Sequence, residues 1–145
     1  MTGVNRMTIE NPSREEIGEI LKSKKRIAVV GLSNNPEKSS YMISKAMQNA
    51  GYEIIPVNPT IDEVLGVKAH HSLKEIEGHV DIVNVFRRPE YLPAVAKEAV
   101  EVGADVFWAQ SGIANEEAYN YLKEHGLTVI MDRCIKVEHA MTRAR

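Results

Sequence analysis

The feature that most constrains this chain is Arg26-Ile27-Ala28-Val29-Val30-Gly31, a short, almost unbroken apolar run that ends on a glycine. A strand with one wet face alternates apolar and polar residues. A run without alternation is what a parallel strand buried on both faces requires. The pattern recurs in Glu53-Ile54-Ile55-Pro56-Val57, Asp81-Ile82-Val83-Asn84-Val85-Phe86, Asp105-Val106-Phe107-Trp108 and Leu127-Thr128-Val129-Ile130-Met131. Pro56 lacks a ladder donor, so a bulge or a strand end is expected there.

Stretches of helical period lie between these runs. Ser13 and Glu16 have the spacing of a capping box, opening a helix to about Ser23 with Ile17, Ile20 and Leu21 on one face. Ile43, Ala46, Met47 and Ala50 mark a second helix, stopped by Gly51. Pro89 suits the first turn of a third, which carries Leu92, Val95, Ala96, Ala99 and Val100 and ends at Gly103. Asn115 caps a fourth, with Ala118, Tyr121 and Leu122 inward and Gly126 as its stop, and a short helix from about Ile135 closes the chain. Strands alternating with helices imply right-handed crossovers. The expected fold is α/β: a Rossmann-like, doubly wound, five-stranded, mainly parallel sheet with helices on both faces. The chain has 145 residues, the size of one domain. Residues 1–11 read as a loose polar tail and 12–145 as the domain, with an irregular connection over 60–79 that holds a short helix near Leu73–Glu77.

Eighteen Lys and Arg against twenty Asp and Glu give a net charge of −2. That balance excludes a nucleic-acid binder held by bulk positive charge, though not a local basic pocket. The single cysteine, Cys134, excludes an internal disulfide and a multi-cysteine zinc site. No apolar run is long enough for a transmembrane helix, and Met1 to Asn11 lacks a signal-type apolar stretch. The expected address is the cytoplasm.

In an open doubly wound sheet, ligands bind beyond the carboxyl ends of the strands, where the strand order reverses. The first loop there runs from Gly31 to Ser40 and has the makeup of a phosphate cradle: a glycine, small polar residues, Lys38, then a helix start. The alternative is an ordinary connection in which Ser39 is a cap. No Walker A motif is present, and a dinucleotide fingerprint counted from Gly31 meets Ser33 and Pro36 where its second and third glycines belong. An NAD site also wants an acid at the end of the second strand. Glu53 starts that strand, and its end reads Val57-Asn58-Pro59. NAD is disfavoured. Arg87 and Arg88 at the third strand's end suit phosphate oxygens, or one of them caps the next helix or pairs with Glu90. Gln110-Ser111-Gly112-Ile113 either offers backbone to a flat ring or forms a tight turn.

Together, the runs IAVVGLSNNPEKSSY, GYEIIPVNP, VDIVNVFRRPE, VFWAQSGI and VIMDRCIKVEH resemble the small stand-alone CoA-binding-domain proteins. These are relatives of the N-terminal CoA-binding domain of the succinyl-CoA synthetase α-subunit. The resemblance covers roughly Ile17 to His139. It implies a Rossmann-like sheet and coenzyme A as the ligand. By position, Gly31, Ser33, Asn34, Lys38 and Ser40 are implied to hold CoA phosphates, and Val57, Asn58 and Pro59 to border the nucleotide. Phe86, Arg87 and Arg88 are implied on its other side, with Gln110, Gly112 and Ile113 along the pantetheine path.

Catalysis is not expected. No nucleophile–base pairing emerges from the five histidines: His70 and His71 are neighbours, His79 and His125 fall near loops, and His139 follows Glu138 near the chain's end. Cys134 sits between Arg133 and Lys136 at the ligand edge, where it is either a weak candidate nucleophile or a buried packing residue. The reading favoured is a CoA or acyl-CoA carrier, sensor or partner subunit, with a protein partner or a homo-oligomer open. The alternatives are an NAD(P)-dependent oxidoreductase and a small acyl-CoA enzyme using Cys134. No metal, nucleic acid or membrane is expected.

Overall fold

The computed structural model describes residues 9–142; the first eight residues of the tail lie outside the described residues. The capping box forms as expected: Ser13 Oγ accepts from Glu16 N at 3.1 Å, and Ser13 N donates to Glu16 Oε1 at 3.0 Å. It opens α1, Arg14–Ser23. Strand β1, Arg26–Val30, follows, then α2, Ser39–Asn49, and β2, Glu53–Val57. The connection beyond β2 is more ordered than expected. It forms a small antiparallel hairpin, β3 (Glu63–Val64) and β4 (Val67–Lys68), before a 3-10 turn at Leu73–Glu75. The chain then alternates through β5 (Ile82–Val85), α3 (Leu92–Glu101), β6 (Val106–Ala109), α4 (Glu116–Glu124), β7 (Thr128–Ile130) and α5 (Ile135–Thr142).

The main sheet has the order β2-β1-β5-β6-β7, all parallel. The unbroken apolar runs are explained by its two faces. Ile27, Val29, Ile82, Trp108 and Ile130 point into one core with Ile17, Leu21, Met47 and Ile135 from α1, α2 and α5. Ala28, Val30, Val83, Phe107 and Val129 point into the other, with Leu92, Ala96 and Leu122 from α3 and α4. A strand between two such layers has no polar face to offer.

Pro56 needs a correction: it lies inside β2, opposite Val29, in unbroken register. The physical reason is its place on the sheet's outer strand. Its carbonyl accepts from His70 N at 2.9 Å, and Asn58 N donates to His70 O at 2.8 Å, so residues 56 and 58 turn their polar groups outward. The donor that proline lacks is on that outer edge, where no sheet bond depends on it. The last residue of the expected tail is anchored. Asn11 uses both ends of its amide on Met131, donating to its carbonyl at 2.9 Å and accepting from its N–H at 2.8 Å. The tail's last residues therefore dock along the outer edge of the sheet beyond β7.

The amino ends of the strands are tied by charge. Asp81 accepts from the backbone N–H groups of Lys25 and Arg26 at 3.1 and 3.0 Å. Lys24 Nζ and His79 Nε2 lie 2.9 and 3.0 Å from Asp105. Burial opposes ionisation of Asp105, but the hydrogen bonds and charges of His79 and Lys24 outweigh it and hold the carboxyl below its ordinary value. His79, Asp81 and Asp105 converge closely enough to contact one cation, but the Lys24 ammonium already sits against Asp105. Glu53 belongs to this edge and pairs with Arg26 at 3.3 Å, on the side of the sheet away from the ligand-binding edge.

Candidate functional site

The strand order reverses between β1 and β5. The chain leaves β1 toward β2 on one side and returns through β5 on the other. A cleft of about 420 Å³ opens there, within the usual range for ligand sites. Val30, Gly31, Val57, Asn58, Pro59, Phe86 and Arg87 line it from the three strand ends, and Val95 and Glu98 line it from α3.

Gly31 makes this geometry. Its φ is +89°, and a Cβ built on it would stand 2.6 Å from Phe86 O and 3.2 Å from Arg87 Cδ. The ends of β1 and β5 thus approach too closely for any side chain. The strand ends are also knit together: Gly31 N donates to Val57 O at 2.9 Å, Phe86 N to Val30 O at 2.9 Å, and Asn58 Nδ2 to Leu32 O at 3.0 Å. Arg87 stacks on Tyr91, its Cζ 4.4 Å from the ring centroid, and enters no ion pair among the described residues. Its guanidinium donors remain available to an anion.

The first loop divides into shaping and exposed groups. Ser33 N donates to the buried Ser40 hydroxyl at 3.0 Å, and Ser33 Oγ accepts from Asn35 N at 3.0 Å. These hydroxyls order the loop. Asn34 and Lys38 are exposed. Ser39 is the first residue of α2 rather than its cap; Lys38 holds the cap position, and no side chain caps the helix. Its first turn carries no acid, whereas α1 and α4 have both a side-chain cap and acids. Unpaired N–H groups and a lysine therefore meet at the ligand edge.

Other expected residues are placed apart from the cleft. Arg88 is exposed; it holds the cap position of the next turn, its carbonyl accepting from Tyr91 N at 2.9 Å, but its side chain makes no cap bond and does not pair with Glu90. Gln110 is buried and turns back into the sheet, where its Nε2 donates to Asn84 Oδ1 at 2.7 Å and its Oε1 has no partner. Gly112 N donates to Asp132 Oδ1 at 2.6 Å and Ile113 N to Gln110 O at 2.9 Å, so this loop is a pinned tight turn. Cys134 is half-buried. It stands immediately before α5, its carbonyl accepting from Glu138 N at 2.9 Å. Glu138, buried one turn on, is held by Arg14 through two 3.1 Å hydrogen bonds. Sequence reading missed Thr60, His71, Ser72, Val95 and Glu98 in the cleft. Only the helical spacing of Val95 and Glu98 with Tyr91 carried a signal for them.

A model of the CoA binding domain family matches residues 25–140, most of the chain. The chain belongs to the CoA-binding-domain family. YneT, an uncharacterized protein of Bacillus subtilis, is 69% identical over 93% of this chain and 100% of its own length. The α-subunit of the ADP-forming acetate–CoA ligase II of Pyrococcus furiosus is 32% identical over 77% of this chain, but only 27% of that subunit is covered. A CoA-binding domain can therefore also occur as a small part of a larger ligase subunit. Among solved structures, a hypothetical protein from Pyrococcus horikoshii superposes with a TM-score of 0.89 at 34% identity, covering 92% of this chain and 94% of that one. The Rossmann-like fold is shared with this solved relative. No helix among the described residues is long and apolar enough to cross a membrane.

Proposed function

We propose that this CoA-binding domain binds coenzyme A or an acyl-CoA in the cleft between β1 and β5 without transforming it, as a carrier, a sensor or a partner subunit. The observation that carries this reading is the meeting of three features at one sheet edge. These are the close approach at Gly31, the unpaired guanidinium of Arg87, and the uncapped start of α2 beside Lys38. The Gly31 N–H is used on Val57 O, so Gly31 contributes the open backbone approach, while Arg87 and the start of α2 with Lys38 offer positive charge and donors to phosphate oxygens. The second-strand end supports CoA over NAD. Val57, Asn58 and Pro59 border the cleft, so the end of the second strand itself supplies no carboxylate for ribose hydroxyls; the cleft's Glu98 comes from α3 instead. The fingerprint glycines expected for a dinucleotide are replaced by Ser33 and Pro36.

A protein partner is part of the proposal, because the Pyrococcus furiosus relative is an α-subunit and this chain spans only 27% of it. Calorimetric titration with CoA, dephospho-CoA, NAD and NADP tests the reading. CoA is expected to bind and the nicotinamide cofactors not to. Binding of NAD or NADP without CoA overturns it. A stronger signal for CoA than for dephospho-CoA assigns a cation to the 3′-phosphate. Charge reversal at Lys38 or Arg87 then removes the difference if that residue is responsible.

A further inference from the structure

The cleft is not uniform in charge. Arg87 lines it from just beyond the end of β5, and Glu98 lines it from the second half of α3. Tyr91, Val95 and Glu98 follow one another at i, i+4 and i+7, so they share one face of α3 and its cap. Seven residues of helix span about 10 Å, at about 1.5 Å per residue. Because α3 runs back from the ligand edge, that distance leads into the cleft. Val30, Val57 and Val95 give the same cleft apolar surface of the kind the face of a flat ring requires, beside the polar Thr60, His71 and Ser72.

Glu98 is half-buried, and one of its oxygens, Oε1, accepts a long 3.4 Å bond from Leu73 N. An ionised carboxylate only accepts hydrogen bonds and has about four sites for them, so one long bond leaves most of its capacity open. A phosphate placed there meets like charge. The phosphates of a nucleotide therefore belong on the Arg87 side, and its base belongs toward Glu98. A base facing Glu98 must bring a donor. Adenine presents an exocyclic amino group at position 6, whereas hypoxanthine presents a carbonyl oxygen there.

We infer that Glu98 reads the base of the bound nucleotide, accepting a hydrogen bond from the 6-amino group of adenine and rejecting a 6-oxo purine. The inference rests on CoA occupying this cleft. It makes Glu98 a specificity residue that no motif announced.

Titration calorimetry with CoA and with its deaminated analogue, in which hypoxanthine replaces adenine, tests it on the full chain. The wild-type protein should bind the analogue at least about tenfold more weakly, the scale of a hydrogen bond to a charged group. Glu98→Gln supplies an amide that can donate to the 6-oxo group and still accept from Leu73 N, so the preference should narrow or reverse. Glu98→Ala should bind CoA more weakly and discriminate little, with a thermal melt confirming that it is folded. Equal wild-type affinity for the two ligands overturns the inference and leaves CoA binding standing. So does a preference that persists unchanged in both variants. Binding of neither ligand to the wild-type protein overturns the CoA reading, and this inference with it.

Discussion

Replacing Gly31 with alanine places a methyl group 2.6 Å from the carbonyl oxygen of Phe86. That oxygen belongs to the backbone where β5 ends, so it cannot rotate away as a flexible side chain would. Two costs add. An L-residue held at φ +89° pays for backbone strain, about 1–2 kcal/mol. Forcing β1 and β5 apart is overpacking of a filled interior, a further ~1–3 kcal/mol. The sum, about 2–5 kcal/mol, is a large share of the ~5–15 kcal/mol typical of a domain. At about 2–4 °C per kcal/mol for a chain of this size, Tm should fall by about 4–20 °C. Gly51→Ala is the internal control. Gly51 has φ +102° but nothing within 4 Å of a Cβ, so only strain applies and its Tm should fall less. Differential scanning calorimetry of both variants gives the comparison. A Gly31→Ala melt no lower than that of Gly51→Ala would refute the close approach on which the cleft is built.

Other consequences follow from individual contacts. Asn11→Ala removes both bonds to the Met131 backbone and should cost about 1–3 kcal/mol, with faster amide exchange at Met131 as the local readout. Arg14→Ala leaves the buried Glu138 carboxylate with only Arg133 at 3.7 Å, so chemical denaturation should report a loss of about 1–4 kcal/mol. Because the carboxyl of Asp105 is held below its ordinary 3.8, its contribution is present above that value and is lost as pH falls further. Lys24→Met should therefore move the acid-unfolding transition to higher pH, read by circular dichroism across a pH series.

Much of this architecture is legible in the chain because its two strongest signals agree. Unbroken runs such as residues 26–30 appear where both faces of a strand are covered, and the capping residues Ser13 and Asn115 stand at helix starts. Pro56 was harder, because a missing donor has opposite meanings on inner and outer strands, and strand order is a tertiary property. Asn11 gave no local signal, since its partner Met131 is 120 residues away. The site divides in the same way. Gly31, Asn58 and Arg87 are at strand ends, which topology alone identifies as ligand positions. The direction of a side chain is not local information. Gln110 points into the sheet toward Asn84, and Glu98 points into the cleft from a helix that the search for strand-end loops passes over.

CoA is proposed to sit where β1 and β5 part. Backbone amide shifts recorded by NMR during a CoA titration test it most directly. The account predicts that the largest shifts fall at Gly31, Ser33, Asn58 and Arg87, while Arg26, Asp81 and Asp105 at the opposite edge stay unmoved. Shifts centred on that opposite edge, or none at saturating CoA, would contradict it.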